Sequence, residues 1–304
     1  MTRPLVIDTL HGDLPGAIAA HVFMGPEPVL VDPGPSTTLP RLREALDEAG
    51  VPLAGIRHIA LTHVHLDHAG AAGHLAAEDP RRVVHVHEDG AVHLADPRRL
   101  VASTRRTFGE AHDRLWGETR PVPAHQLRGW RPGDGSRVPG LRPLPTPGHI
   151  DHHLAFLDEE EGTLFAGDAM GILLSPEAPV HTPTPPPSVD LRAWLATLDE
   201  IRAVGPDAVA VAHFGVHTDV RARADELQAA LSALADRVED ALARGVVDED
   251  AEAFDRESRS RLQEHVAADR VERYLDLFSA ATDYRGMVRY VERNPEGRRG
   301  VPSP

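Results

Sequence analysis

Four side chains able to bind a metal crowd into the six residues 63–68 of one stretch, His58-Ile-Ala-Leu-Thr-His-Val-His-Leu-Asp-His-Ala-Gly70. They are His63, His65, Asp67 and His68. Histidines two apart cannot face one way on a helix, but they can on an extended or looping segment, where alternate residues share a side. His63 and His65 are therefore expected to converge on one point. Asp67 and His68, at the turn into an Ala/Gly-rich helix, can reach a second point nearby. Imidazole and carboxylate are ligands that borderline divalent metals such as zinc accept. The chain has no cysteine, so any metal site must be built from His and carboxylate alone. The plainer alternative for the stretch is an exposed, merely histidine-rich loop.

Three further residues repeat the theme of a polar side chain closing an apolar run. His149 ends Leu144-Pro-Thr-Pro-Gly-His149, Asp168 ends Thr163-Leu-Phe-Ala-Gly-Asp168, and His213 ends Pro206-Asp-Ala-Val-Ala-Val-Ala-His213. Gly167 permits close backbone approach before Asp168. A lone Asp at a strand end is often only a helix cap; the repetition favours a functional role.

The elements that must position these residues follow in order. Ala17 to Met24 and Val29 to Val31 read as a hairpin about Gly25-Pro26-Glu27-Pro28, ending in Asp32-Pro33-Gly34. Asp32 reads as a turn-capping carboxylate bonded to backbone rather than as a ligand. Leu39 to Ala49 has helical spacing with Gly50 as its stop, Ile59 to Leu61 reads as a buried strand, and Arg82 to His87 as another. His85 and His87 are expected to pack or support rather than ligate. Residues 89–126 break the alternation and read as an inserted helical segment, either a lid or substrate wall over the site or padding on the surface. His153 to Leu157 pairs with Thr163 to Asp168 across an acidic turn. A proline-rich linker, Pro176 to Pro187, leads to a helix from Asp190 to Val204. His217 is a candidate support or substrate contact. After Asp219 the strands stop: one helix carries Leu227, Leu231, Leu234, Val238 and Leu242, residues 250–268 and 270–293 suggest two more, and the tail from Asn294 reads as disordered.

Composition bounds the function. A chain of 304 residues with 41% apolar content suggests one large domain with an addition, or two domains. The division expected is a catalytic region over 1–218 and a helical region over 219–304. All 32 basic residues are arginine, which carries no mechanistic weight. The net charge of −15 argues against holding nucleic acid through phosphate neutralisation. No apolar run approaches membrane-spanning length and no signal-peptide core is evident, so a cytoplasmic protein with a small-molecule substrate and no membrane partner is the expectation. Oligomeric state is not legible.

The ordered series His63, His65, Asp67, His68, His149, Asp168 and His213 resembles the metallo-β-lactamase superfamily, across about residues 5–217. The resemblance implies a four-layer αββα sandwich, here with a helical insertion and a helical C-terminal addition. It implies that His63, His65 and His149 bind one divalent metal, that Asp67, His68 and His213 bind a second, and that Asp168 bridges them. Zinc is the expected ion, with iron or manganese as alternatives. Asp67 is expected to orient the attacking water, so Asp67 and Asp168 are the catalytic candidates. The Pro-Gly-His149 and Gly-Asp168 elements look most like the glyoxalase II-type hydrolases, which implies hydrolysis of a small thioester or ester. A phosphodiesterase or ribonuclease on the same core, a sulfur dioxygenase-like iron oxidoreductase and a regulatory module with a vestigial site are the alternatives. The chain departs from related patterns in two ways. It lacks a tyrosine shortly after Asp168, as lactonase-type members have. It also has no match, residue by residue, for the basic and tyrosine residues that hold glutathione in true glyoxalase II, since it has no lysine and its tyrosines (Tyr274, Tyr284, Tyr290) all lie in the C-terminal helices.

Overall fold

Short apolar runs rich in Val, Ile and Ala, each bounded by Gly, Pro or Asp, become the strands of this chain. The computed structural model describes residues 4–174 and 178–294. Part of the proline-rich linker, including Pro176, and the tail from Pro295 lie outside the described residues. The chain divides into two compact units, the first made of 1–145, 152–167 and 206–218, the second of 146–151, 168–205 and 219–304.

The first unit holds both sheets. Strands β1 (Leu5–Asp8), β2 (Ala19–Phe23), β3 (Val29–Val31), β4 (His58–Ala60), β5 (Val83–His87) and β6 (Leu127–Trp130) lie side by side in that order. The first three pair antiparallel, and from β3 to β6 every pairing is parallel. Parallel neighbours need crossovers. Helix α1 (Leu39–Glu48) joins β3 to β4, and α2 (Leu66–Ala69) with α3 (Ala72–Glu78) joins β4 to β5. The expected insertion supplies α4 (Glu88–Ala95), α5 (Arg98–Phe108) and α6 (His112–Trp116) before β6. Strands β7 (Leu141–Pro145), β8 (Leu154–Asp158), β9 (Thr163–Gly167), β10 (Ala208–Val211) and β11 (Gly215–His217) form the second sheet, in the order β11-β10-β9-β8-β7.

Period-two alternation sorts the first sheet's side chains into two cores. Val22, Leu30 and Ile59 pack with Leu42 and Leu46 of α1 and Leu75 of α3. Their neighbours Phe23, Val29, Val31 and Ala60 turn the other way, onto Leu154, Phe156, Phe165 and Ala210 of the second sheet. Helices therefore cover one face of the first sheet while its other face is sealed against the second sheet, leaving polar side chains to gather at strand ends.

The second unit is helical, with α7 (Leu191–Val204), α8 (Val220–Arg244), α9 (Val247–Gln263), α10 (Ala268–Leu277) and α11 (Ala280–Arg293). Asp190 caps α7 by accepting from Ala193 N at 3.0 Å, and Gly205 ends it in a left-handed conformation. Residues 270–293, expected as one helix, are two. The break falls at Phe278-Ser279, where Ser279 Oγ accepts from Thr282 N at 3.2 Å and starts α11 afresh. Gly286 of α11 lies against the backbone of Thr184, where an added Cβ would stand 1.7 Å from its carbonyl oxygen. Gly286→Ala is expected to destabilise the protein by about 3 kcal/mol through overpacking, visible as a lower melting temperature. An unchanged melting temperature would show that α11 moves aside without cost.

Candidate metal centre

The site is built first from the loop that follows β4. Leu61 N donates to His85 O at 2.9 Å and Leu154 N to Thr62 O at 2.8 Å, which fixes the loop between β5 and β8. Val64 and Leu66 are buried, anchoring the loop between the histidines. His63 and His68 are fully buried, and their ring centroids lie 4.1 Å apart. His63 Nε2 and His65 Nδ1 are 2.9 Å apart, as two nitrogens turned to one point require. His153 stacks on His63 at 5.0 Å.

Asp67, His68 and His213 form a group of their own. Asp67 Oδ2 stands 3.6 Å from His68 Nε2 and 3.4 Å from His213 Nε2, and the three donor atoms all lie within 4.8 Å of one another. The opposite nitrogen of each imidazole is held from behind. His213 Nδ1 donates to Ala17 O at 2.8 Å, and His68 Nδ1 donates to Asp32 Oδ2 at 2.9 Å. Back-bonding of this kind fixes tautomer and ring orientation and raises ligand basicity. The donor set, two imidazoles and a carboxylate, suits a borderline divalent cation, whose charge would offset the carboxylate.

Asp32 has a larger role than turn capping. It does accept from backbone, Thr62 N at 2.8 Å, but it also accepts from Thr62 Oγ at 2.7 Å and from His68. It is buried and sits at φ +49°, a left-handed conformation that Asp tolerates better than most residues. Gly167 shows the same need for close approach, since at φ +50° an added Cβ would lie 2.5 Å from Thr62 Oγ.

His149 and Asp168 belong to the second unit and meet there, with His149 Nε2 3.4 Å from Asp168 Oδ2. His149 Nδ1 donates to Pro183 O at 2.7 Å, and Trp194 meets the ring edge-on. The peptide that offers this carbonyl is clamped by Asp283 of α11. Thr184 N and His181 Nε2 both donate to that carboxylate, at 2.7 and 2.6 Å. The helical region thus reaches back to support a candidate ligand, a link no sequence spacing displays.

The other singled-out histidines lie elsewhere. His85 pairs with His58 at 3.0 Å, and burial pushes it down to about 3. His217 sits on the short strand β11 against Phe214 O. His11, not singled out from the sequence, lies after β1, is buried and stacks parallel to Trp116 with ring centroids 5.3 Å apart. Burial pushes it down to about 4, against an upward pull from Asp67.

Known proteins share both this fold and stretches of this sequence. Residues 27–213 match the model of the metallo-β-lactamase superfamily. The chain belongs to that superfamily and has its fold, with a helical insertion and a helical C-terminal addition. It is 33% identical over 113 residues to the thioesterase pkgB of Emericella nidulans, a match covering 37% of this chain and 24% of that protein. The chain spans between 24% and 60% of the length of the curated relatives it matches. Among solved structures it resembles the metallo-β-lactamase family protein TTHA1429 from Thermus thermophilus, with TM-score 0.63 and 26% identity over 92% of this chain and 89% of that one. It also resembles TTHA1623 in a di-iron-bound form, with TM-score 0.51 and 28% identity over 73% of this chain and 98% of that one.

Proposed function

We propose that this chain is a dinuclear metallohydrolase of the glyoxalase II-like kind, acting on a small thioester or ester. The observation that carries the reading is the Asp67–His68–His213 group, in which both imidazoles are back-bonded and turned toward one carboxylate. In this reading His63, His65 and His149 hold one divalent ion, Asp67, His68 and His213 hold the other, and Asp168 bridges them. Residues 1–218 form the catalytic region and 219–304 a helical support. Two divalent cations, when bound, supply a water acidic enough to ionise near neutrality and a Lewis acid for the substrate oxygen. The chain's own part is orientation. Asp67 accepts a hydrogen bond from the attacking water and aims it, while Asp168 offsets the repulsion between the two cations. Asp32 and the Ala17 carbonyl keep His68 and His213 in the tautomer that leaves Nε2 for the ion.

Zinc fits the ligand set, and the di-iron form of TTHA1623 makes iron the alternative ion. The name of pkgB supports thioester chemistry. The net charge of −15 would repel polyanions at low salt, which favours a small acyl substrate over nucleic acid or an anionic membrane surface. Among the described residues no helix is long and apolar enough to cross a membrane. One zinc-loaded preparation, assayed in parallel against acyl-thioesters, aryl esters, lactones, bis(p-nitrophenyl) phosphate and a short RNA, tests the reading. Metal-dependent kcat/KM is expected to be highest on an acyl substrate. A higher value on the diester or RNA would overturn the assignment. Oxygen consumption with a persulfide, restored by iron alone, would put an oxidoreductase in its place.

A further inference from the structure

We propose that His11, backed by Trp116, is a substrate-contacting residue that hydrogen-bonds an oxygen of the acyl group beside Asp67 and His213. The proposal rests on the hydrolase reading above and adds to it a specific recognition element. Three independent features of the loop between β1 and β2 carry it.

The first is an unanswered polar side chain. His11 is 1% exposed, yet neither ring nitrogen has a hydrogen-bond partner among the described residues. The indole Nε1 of Trp116, whose ring lies flat against it at an interplanar angle of 6°, is in the same position. Buried polar groups in native proteins are almost always paired, and an unpaired one costs stability that calls for an explanation. Two such groups stacked on each other form a small donor surface suited to an acceptor oxygen.

The second is location. The same loop supplies the Ala17 carbonyl that holds His213, and Ala19 N donates to Ala212 O at 2.7 Å, so the chain here is tied to the end of β10 at that ligand and at the residue before it. Asp67, His213 and Arg114 all act on His11 electrostatically. His11 nevertheless belongs to none of the groups whose donor atoms converge as metal ligands. It stands beside the centre without being part of it.

The third is strain. Leu10 at φ +48° and Asp13 at φ +58° flank His11, and with Asp32 they are the non-glycine residues of positive φ among the described residues. Left-handed leucine is unfavourable and persists only where its surroundings over-determine it, which is common at ligand clamps. Here the loop is pinned by Asp8, whose carboxylate accepts from Leu10 N at 3.0 Å and Gly16 N at 2.9 Å. The effect is to hold His11 inward, against Trp116, instead of in water.

The test compares the wild type with His11→Phe, which keeps the stacking and volume, and with His11→Gln, which restores a donor. Four quantities are read: melting temperature of the metal-free protein, zinc content after loading, hexanoate affinity of the loaded protein by calorimetry, and kcat/KM on an acyl-thioester. His11→Phe is expected to melt at or above the wild-type temperature and to load zinc equally. Its hexanoate affinity and kcat/KM are expected to fall about tenfold or more, as the loss of a buried hydrogen bond to a charged or polarised oxygen implies. His11→Gln should recover part of both losses. A drop of several degrees in melting temperature would make His11 structural, and a loss of zinc would make it a ligand. Hexanoate affinity and turnover within twofold of wild type, or no hexanoate binding by the wild type, would also overturn the proposal. If the wild type hydrolyses no acyl substrate, the hydrolase reading falls by itself, and the hexanoate titration still decides the role of His11.

Discussion

Asp168→Ala is expected to lower bound metal from two ions per chain toward one and to cut kcat/KM at least a hundredfold. In the proposed centre both ions share this one carboxylate, which also offsets part of their mutual repulsion. Asp168 is buried and stands 3.4 Å from His149 Nε2, so its removal also takes a ligand partner from that imidazole. Metal analysis and steady-state kinetics on the same preparation check both effects. Full occupancy with unchanged turnover would remove Asp168 from the bridging position.

Asp32→Ala should have a comparable effect by a different route. Three donors, Thr62 N, Thr62 Oγ and His68 Nδ1, would lose their acceptor in a buried place. A buried donor left unmet costs about 1–3 kcal/mol, so a total loss of about 3 kcal/mol in stability is expected once neighbours relax. Loss of the carboxylate behind a ligating histidine typically weakens metal binding about 10–100-fold. Asp32→Asn keeps the shape and tolerates the left-handed backbone, so it should retain most of the stability while still weakening the metal. Competition with a zinc chelator, alongside thermal unfolding, separates the two effects. Equal metal affinity in Asp32→Asn would mean that His68 needs no carboxylate behind it.

Of the proposed metal ligands, His149, Asp168 and His213 could be named from the sequence because each ends an apolar run, and His63, His65, Asp67 and His68 because they crowd the loop that follows such a run. Burial of the run carries its terminal polar residue to a sheet end. The supporting residues were not legible. Asp32 lies 36 positions from His68, and nothing local distinguishes a carboxylate that orients an imidazole from one that caps a turn. Asp283 is still further from the Thr184 amide that it holds, on a helix whose pattern shows only amphipathicity. His11 carries no pattern at all; its nearest sequence signal is the Gly12-Asp13 turn beside it.

Within the fold, β1, β6 and β11 are the strands that went unread. Strand β6, Leu127-Arg-Gly-Trp130, is half-buried along its length and contains a glycine, and β11 is a three-residue edge. The single helix expected over 270–293 divides because Ser279 offers its hydroxyl to the next turn, a choice decided locally and overlooked by a reading based on apolar spacing.

In the proposed centre seven side chains together hold two divalent ions. The most direct measurement is the metal stoichiometry of the wild-type chain, determined by elemental analysis after purification without added metal and again after stripping and titration with zinc. Two ions per chain are predicted, with loss of acyl hydrolysis on stripping and its return in step with the second equivalent. A plateau at one ion with full activity, or activity indifferent to complete removal of metal, would rule out a dinuclear hydrolytic centre.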